Sequence, residues 1–113
     1  MTSSTIGSAS DAATTTAANA DLEALAEAVG RRLKELSRGY QVLCVTHQAQ
    51  IASFANFHYR VEKKESKGRT VAVVVELDGP ERTKEIGRML SGQRLTPEAL
   101  QHAEQLLRAG AAV

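Results

Sequence analysis

The sequence lacks most features that identify secreted, disulfide-bonded or membrane proteins. Its 113 residues include one cysteine, which excludes an internal disulfide framework. The basic, apolar and cleavage-site order of a secretory signal is missing from the start. No apolar run approaches the roughly 20 residues needed to span a bilayer. These absences predict a soluble protein of the reducing cytoplasm, with no membrane partner.

The charge balance gives no general indication of a nucleic-acid partner. The 14 lysines and arginines are nearly cancelled by 13 acidic residues, which leaves a formal net charge of +1. A local basic group in residues 63–69 is interrupted by Glu65, and no aromatic residue is interleaved with it. We interpret it as a solvated turn and assign no DNA contacts to it.

Motifs that hold nucleotide phosphates are missing as well. The sequence has no Gly-x-x-x-x-Gly-Lys-Ser/Thr run, whose backbone N–H groups would cradle phosphates. No apolar strand ending in Asp-Glu, which would supply carboxylates for Mg²⁺ and for water activation, precedes the first predicted helix. Hydrolysis of ATP by this chain alone is therefore not expected.

The chain divides into a low-complexity segment and one predicted folded unit. Residues 1–20 consist almost wholly of Ser, Thr, Ala, Gly and Asn, and this composition predicts disorder. Within residues 21–113 the first element is an amphipathic helix that is expected to stop at Gly39. Its apolar residues at helical spacing are Leu22, Leu25, Ala26, Val29, Leu33 and Leu36.

The middle of the chain predicts strands. Residues 42–45 form an unbroken apolar run, which is typical of a strand buried on both faces. A short helix is predicted over residues 48–55. Apolar and polar residues then alternate from Phe57 to Glu62, which indicates a strand with one wet face and leaves His58 solvated. A polar turn at residues 65–68 leads to a second strand over residues 70–77, whose valines at 71, 73 and 75 share a face with Leu77.

Two helices complete the predicted order. Asp78-Gly79-Pro80 begins the first, because proline suits the first helical turn, and Ser91-Gly92 ends it. Thr96 is expected to cap the second helix, which starts at Pro97 and runs to about residue 108. The order of elements predicts an α/β layer structure with flanking helices, a β-hairpin and an incomplete sheet.

His47 is the most informative candidate for a functional side chain. It directly follows the predicted buried strand, and ligands of open α/β sheets lie beyond the carboxyl ends of strands. The alternative is a histidine that caps the next helix or bonds a neighbouring carbonyl, and position alone leaves both open. Cys44 lies three residues earlier, on the opposite strand face, and is interpreted as core. His102 is interpreted as a solvated helix residue.

Several stretches, in order, resemble the end of RecN, a family of bacterial SMC-related ABC ATPases that act in double-strand-break repair. They are Glu-Ala-Val-Gly-Arg-Arg-Leu at 27–33, Gln-Val-Leu-Cys-Val-Thr-His at 41–47, Val-Glu-Lys at 61–63, Leu-Asp-Gly-Pro-Glu-Arg at 77–82 and Ile-Gly-Arg-Met-Leu at 86–90. The resemblance covers residues 26–107 and implies that 21–113 form part of a RecN-like ATPase head, the carboxy-terminal portion of an ABC/SMC-type head.

The resemblance also implies roles. His47 matches the switch histidine, which reaches the terminal phosphate of ATP held between two heads and stabilises its charge. ATP and Mg²⁺ are implied only for a complete head. The implied partners are therefore the remainder of a RecN-like head or a second head, with DNA engaged only through the complete protein. Because the phosphate loop, signature and Walker B motifs are missing, the chain resembles a fragment of an enzyme.

Two departures from the family pattern accompany the resemblance. RecN proteins often have Leu-Pro-Gln after the switch histidine, whereas this chain has Gln-Ala-Gln at 48–50. The run Leu-Ser-Gly-Gln at 90–93 resembles the ABC signature, but it lacks one glycine and follows His47, so we interpret it as a helix end. The alternative function is a small non-enzymatic interaction module that recruits a strand at an exposed sheet edge.

Overall fold

The computed structural model describes residues 2–3, 16–92 and 94–113. In chain order the elements are β1 (Thr2–Ser3), α1 (Thr16–Leu36), α2 (Ala49–Ala52), β2 (His58–Ser66), β3 (Arg69–Leu77), α3 (Gly79–Ser91) and α4 (Pro97–Ala111). The strands form one sheet in the order β1-β2-β3, in which β1 runs parallel to β2 and β3 runs antiparallel to it. The predicted mixture of helices and a β-hairpin is confirmed. None of the described helices is long and apolar enough to cross a membrane.

Helix α1 begins earlier than the sequence pattern predicted. It starts at Thr16 rather than near Asp21, and three of its first five residues are alanine, the residue with the highest helix propensity. The prediction of disorder over residues 1–20 is therefore wrong for 16–20, and also for Thr2–Ser3, which pair with β2. Residues 1 and 4–15 lie outside the described residues, and for them disorder stays a prediction.

The buried face of α1 is not the face that its apolar residues share. The helix is least exposed at Ala26, Gly30, Leu33, Lys34 and Ser37, where it lies against α2 and the residues that follow it. A Cβ added at Gly30 would lie 2.5 Å from Cδ2 of Phe54, so the close approach depends on glycine. Most of the predicted apolar stripe therefore remains in solvent.

Residues 42–45 do not form the predicted buried strand. The segment is extended but belongs to no strand, and Leu43 and Val45 are 74% and 69% exposed. Val42 and Cys44 are half-buried, so the interpretation of Cys44 as core is also wrong. A strand buried on both faces needs hydrogen-bonded neighbours and layers above and below it. No described strand pairs with this segment, and the side chains of Leu43 and Val45 are uncovered.

The β2–β3 hairpin forms as predicted, but β2 turns its polar face, and not its apolar face, toward the rest of the fold. Its two-residue turn has positive φ at Lys67 (53°) and Gly68 (76°), the pattern of a type I′ turn. The register then places His58 opposite Leu77 and Arg60 opposite Val75. Residues directly opposite in a sheet point to the same side. The polar residues of β2 therefore share the face of the inward valines of β3, and the predicted wet face is wrong.

Helix α3 begins and ends, and α4 begins, as their local signals predicted, whereas α4 runs to Ala111, beyond its predicted end near residue 108. Asp78 is the N-cap of α3, with proline two residues later, and Thr96 is the N-cap of α4, directly before Pro97. The Thr96 hydroxyl accepts a 3.1 Å hydrogen bond from the N–H of Ala99. Gly92, with φ of 79°, ends α3. Between the helices lies the small core of Ala49, Ala52, Ile86 and Ala103, with Met89, Leu90, Leu106 and Leu107 packed against it.

Candidate functional site

His47 lies in an exposed loop between the extended segment and α2. The hydroxyl of Thr46 accepts a 3.0 Å hydrogen bond from the N–H of Gln48, which fixes the backbone on both sides of His47. Gln48, not His47, is the N-cap of α2, and it makes no side-chain cap hydrogen bond. The imidazole Nε2 is 3.3 Å from Nε2 of the Gln48 amide. The capping alternative for His47 is therefore not supported, and the ring is accessible to a ligand.

An open cavity of about 630 Å³ separates the extended segment from the body of the fold. Apolar side chains from α1, the extended segment and the loop before β2 line it, together with the polar residues Lys34, Gln41, Asn56 and Tyr59. His47 is not among the lining residues. The cavity is thus a consequence of the uncovered segment, and it does not contain the candidate histidine.

Lys34 forms part of the cavity wall and ties α1 to α4. Its Nζ donates to the carbonyl oxygen of Gly110. Burial, together with the nearby positive charges of Arg38 and Arg82, lowers the pKa of the Lys34 ammonium. The lowered pKa of Lys34 reflects first the desolvation of the ammonium and then repulsion by the two guanidinium groups.

A cluster of buried charges connects the hairpin to α3. Glu85 is fully buried, and its Oε2 accepts from Nη1 of Arg88 at 2.7 Å and from Nη1 of Arg60 at 3.3 Å. Arg60 also forms an ion pair with Glu62 on its own strand. Although burial opposes it, hydrogen bonding to Glu62 and Glu85 raises the pKa of Arg60. We call Arg60, Glu62, Glu85 and Arg88 the charge cluster.

His58 lies beside this cluster and is 1% exposed, so the prediction that it is solvated is wrong. Burial and the positive charges of Arg82 and Arg60 lower the pKa of His58 from 6.5 to about 4. Arg82 itself donates through Nη2 to the carbonyl oxygens of Ala52, Ser53 and Ala55, the last at 2.7 Å. It thereby satisfies carbonyls at the end of α2. His58 is neutral at pH 7.

The chemistry of the charge cluster is structural. The Glu85 carboxylate is fully buried and already accepts hydrogen bonds from two guanidinium groups, so it is not accessible to a substrate. Among the described residues no group of three or more His, Cys, Asp or Glu side chains could hold a metal ion. His102, in contrast, is exposed on α4, as predicted. His47 therefore remains the one sequence-predicted site residue, and among the described residues no second predicted functional group lies beside it.

Sequence reasoning did not find Glu85 or Arg60, although one signal was available. Glu85 directly precedes the core residue Ile86, and Arg82 and Arg88 lie three residues to either side of it, within reach on a helix. That spacing is also common on solvated helix faces. The apolar pattern of α3 alone does not show that Glu85 is buried.

Comparison with known proteins identifies relatives of most of the chain. No family model matches it. Residues of the chain are 52% identical over 84 positions to a protein of Deinococcus radiodurans named DNA repair protein RecN. Proteins of the same name from Rickettsia bellii and Bacillus subtilis are 41% and 38% identical over 83 and 84 residues. Each match covers 74% of this chain but 15% of the relative. The predicted resemblance to RecN is confirmed, and the chain spans about 15% of the length of these relatives, as a RecN fragment would.

Proposed function

We propose that this chain, related to a segment of the RecN DNA repair proteins, is part of a RecN-like ATPase head and acts in DNA repair only when the rest of that head completes it. The observation that carries the proposal is the identity of 37–52% to RecN proteins over about three quarters of the chain. In this proposal ATP and Mg²⁺ are bound by the complete head, and DNA is engaged by the complete protein.

The uncovered extended segment supports an incomplete head. Residues 41–46 carry apolar side chains on both sides of an extended backbone, yet Leu43 and Val45 are exposed. Such a segment is stable in water only when it is paired and covered, as in a parallel sheet. Strands from the remainder of a head would pair with residues 41–46 and cover this surface. His47 would then follow the carboxyl end of a central strand, where α/β sheets bind their ligands.

The position of His47 supports a role at the terminal phosphate. Its ring is exposed and no buried carboxylate among the described residues orients it as a general base. A neutral or protonated imidazole N–H can instead donate to a phosphate oxygen and stabilise the charge that develops during transfer. The sequence contains no phosphate loop or Walker B run, so those groups would come from the remainder of the head.

The experiment is steady-state ATP hydrolysis by a complete RecN-like protein that carries this segment. His47→Ala should lower turnover on the order of 10²-fold, as expected when one preorganised donor is removed from a charged transition state. His102→Ala is the matched control, because His102 is also exposed but lies on α4. His58 is unsuitable as a control because it is buried.

Thermal melting of the same variants separates catalysis from folding. His47→Ala should melt with the unchanged protein, since its ring makes no contact that holds two elements together. Equal turnover in the His47 and His102 variants would contradict the phosphate role. Saturable binding of Mg²⁺-ATP to the isolated chain at micromolar concentration would contradict the fragment proposal itself, because it would require a complete site within these 113 residues.

The sheet edges support a second candidate, a small interaction module. Strand β3 is the last strand of the described sheet, and its Val71 and Val74 are exposed. The opposite edge, at Tyr59 and Arg60 of β2, pairs with the two residues of β1. An exposed edge can accept a strand from another polypeptide. A neighbouring reading frame that encodes the missing RecN segments would favour the head, and its absence would favour the module.

A further inference from the structure

Helix α1 presents an apolar stripe that the described fold leaves largely uncovered. The stripe consists of Leu22, Leu25, Val29, Leu33 and Leu36. Leu33 is half-buried, and the other four are between 41% and 62% exposed. At 1.5 Å per residue the stripe is about 21 Å long, so it extends over nearly four helical turns. An apolar surface of this length is typical of a helix that packs against another helix.

The spacing of the stripe is symmetric about Val29. The intervals between its members are three, four, four and three residues in chain order. When two copies of α1 lie antiparallel with Val29 facing Val29, Leu22 of each copy faces Leu36 of the other, and Leu25 faces Leu33. A two-fold interface needs such a self-complementary surface, in which residue i meets j and j meets i. The spacing of the stripe is therefore self-complementary, as a two-fold interface between two copies of the helix requires.

The charges on α1 favour the antiparallel direction. The first part of the helix carries the acidic residues Asp21, Glu23 and Glu27, and the second part carries the basic residues Arg31, Arg32 and Lys34. Glu35 is the exception, and it already forms an ion pair with Arg32 at 3.4 Å. Antiparallel packing places the acidic half of each helix beside the basic half of the other. Parallel packing would place like charges together, which suppresses that arrangement.

We propose that the free chain forms a two-fold symmetric dimer in which the α1 stripes of two copies pack antiparallel. The occupant of the stripe is a second copy of this chain, chosen by the palindromic spacing and the charge gradient. The proposal does not rest on the nucleotide role of His47, because it concerns the chain without any other RecN segment. Its test therefore uses the isolated chain, whereas the test of His47 uses the complete protein.

The experiment is sedimentation equilibrium of the full chain over a concentration series. The unchanged protein should be dimeric, and Val29→Arg, which places two guanidinium groups at the symmetry axis, should weaken association at least about tenfold. The matched control is Ala24→Arg, an exposed residue of the same helix that lies about 140° around it from Val29. It should leave the dimer intact. A monomeric unchanged chain, or a dimer that survives Val29→Arg, would overturn the proposal.

Disulfide trapping tests the direction of packing. In a Cys44→Ser background, Leu22→Cys and Leu36→Cys chains of different mass are mixed and oxidised. Antiparallel packing should give mainly the mixed 22–36 disulfide, as read by mass spectrometry, whereas parallel packing would give 22–22 and 36–36 pairs. Either of those like pairs as the main product, or a dimer with no disulfide at all, would overturn the arrangement.

Discussion

Two regions of the molecule use similar sequence patterns with opposite results. In the covered region, β2 to α4, apolar residues pack together, the N-cap threonine of α4 accepts its hydrogen bond and even a carboxylate is buried among guanidinium groups. In the open region, α1 and the extended segment after it, a regular apolar stripe and a valine-rich run lie in solvent. Both regions have the periodicity that predicts burial. Periodicity identifies the face that can be covered, but burial also requires a partner element.

The same contrast holds for the ion pairs, and a matched pair of substitutions would measure it. Glu85→Ala in the covered region should lower the free energy of unfolding by about 2–3 kcal/mol. This is somewhat less than for a fully desolvated pair, because Arg60 and Arg88 retain some contact with water. Glu27→Ala in the open region removes an exposed ion pair with Arg31 and should change the free energy of unfolding by less than about 0.5 kcal/mol. Urea unfolding of both variants measures the difference.

Equal losses of the free energy of unfolding in the two variants would show that the buried and the exposed ion pair contribute equally to stability. A stabilised Glu85→Leu variant beside a destabilised Glu85→Ala would instead assign the cost to the cavity that alanine leaves, because both variants deprive Arg60 and Arg88 of the same carboxylate.

The histidines extend the comparison to pH. The pKa of His58 is lowered in the fold to about 4 from 6.5, so between these values the unfolded chain binds more protons. Stability contributed by neutral His58 is therefore fully present above about pH 6.5 and is lost as the pH falls toward 4. From pH 7 to pH 5 the loss should be about 2 kcal/mol.

The measurement is denaturant unfolding at both pH values for the unchanged chain, His58→Gln and His47→Gln. Only His58→Gln should show a flatter dependence on pH, because His47 is exposed in the open region. If His47→Gln had the same effect as His58→Gln, burial would not be the cause of the dependence.

Local signals predicted the boundaries of the covered region well. Three short sequences each carry a conformational preference that does not depend on the rest of the fold. They are Asp78-Gly79-Pro80, Thr96-Pro97 and the turn at Lys67-Gly68. Residues 42–45 and the stripe of α1 failed as predictions of burial because no described element covers Leu43, Val45 and most of the stripe. The helices and turns of this chain were thus predictable one by one from the sequence, but which of their faces are buried was not.

The conflict between the apolar faces of the two hairpin strands was predictable from the sequence, but which face would be covered was not. The apolar residues Tyr59 and Val61 of β2 and the apolar residues Val73 and Val75 of β3 cannot share a face, because the two-residue turn pairs Tyr59 with Glu76 and Val61 with Val74. One strand had to present its polar side inward. Which strand did so depended on Glu85, whose carboxylate accepts from Arg60 and so makes the polar side of β2 acceptable in the interior. The two alternation patterns alone did not contain that information.

Two glycines, one in each region, allow the regions to be compared at single close contacts. A Cβ at Gly110 of α4 would overlap the carbonyl oxygen of Ser53, a backbone atom that cannot rotate away. A Cβ at Gly39, after α1, would meet nothing within 4 Å. Gly110→Ala gains helix propensity, worth about 0.5–1 kcal/mol, but the overpacking costs about 1–3 kcal/mol. The net loss should therefore be about 1 kcal/mol, while Gly39→Ala should change stability little.

Thermal melting of the two glycine variants tests whether α4 is held against the segment after α2 as tightly as these distances indicate. The contact also contains the bond from Lys34 to the Gly110 carbonyl, so a shift of α4 would disturb the link to α1 as well. Gly110→Ala should accordingly melt at a lower temperature than both Gly39→Ala and the unchanged chain. A Gly110→Ala protein that melts at the same temperature or higher would show that α4 moves away at no cost. The covered and open regions would then be held together less tightly than these contacts indicate, because α4, which ties α1 to the core, would not be fixed in place.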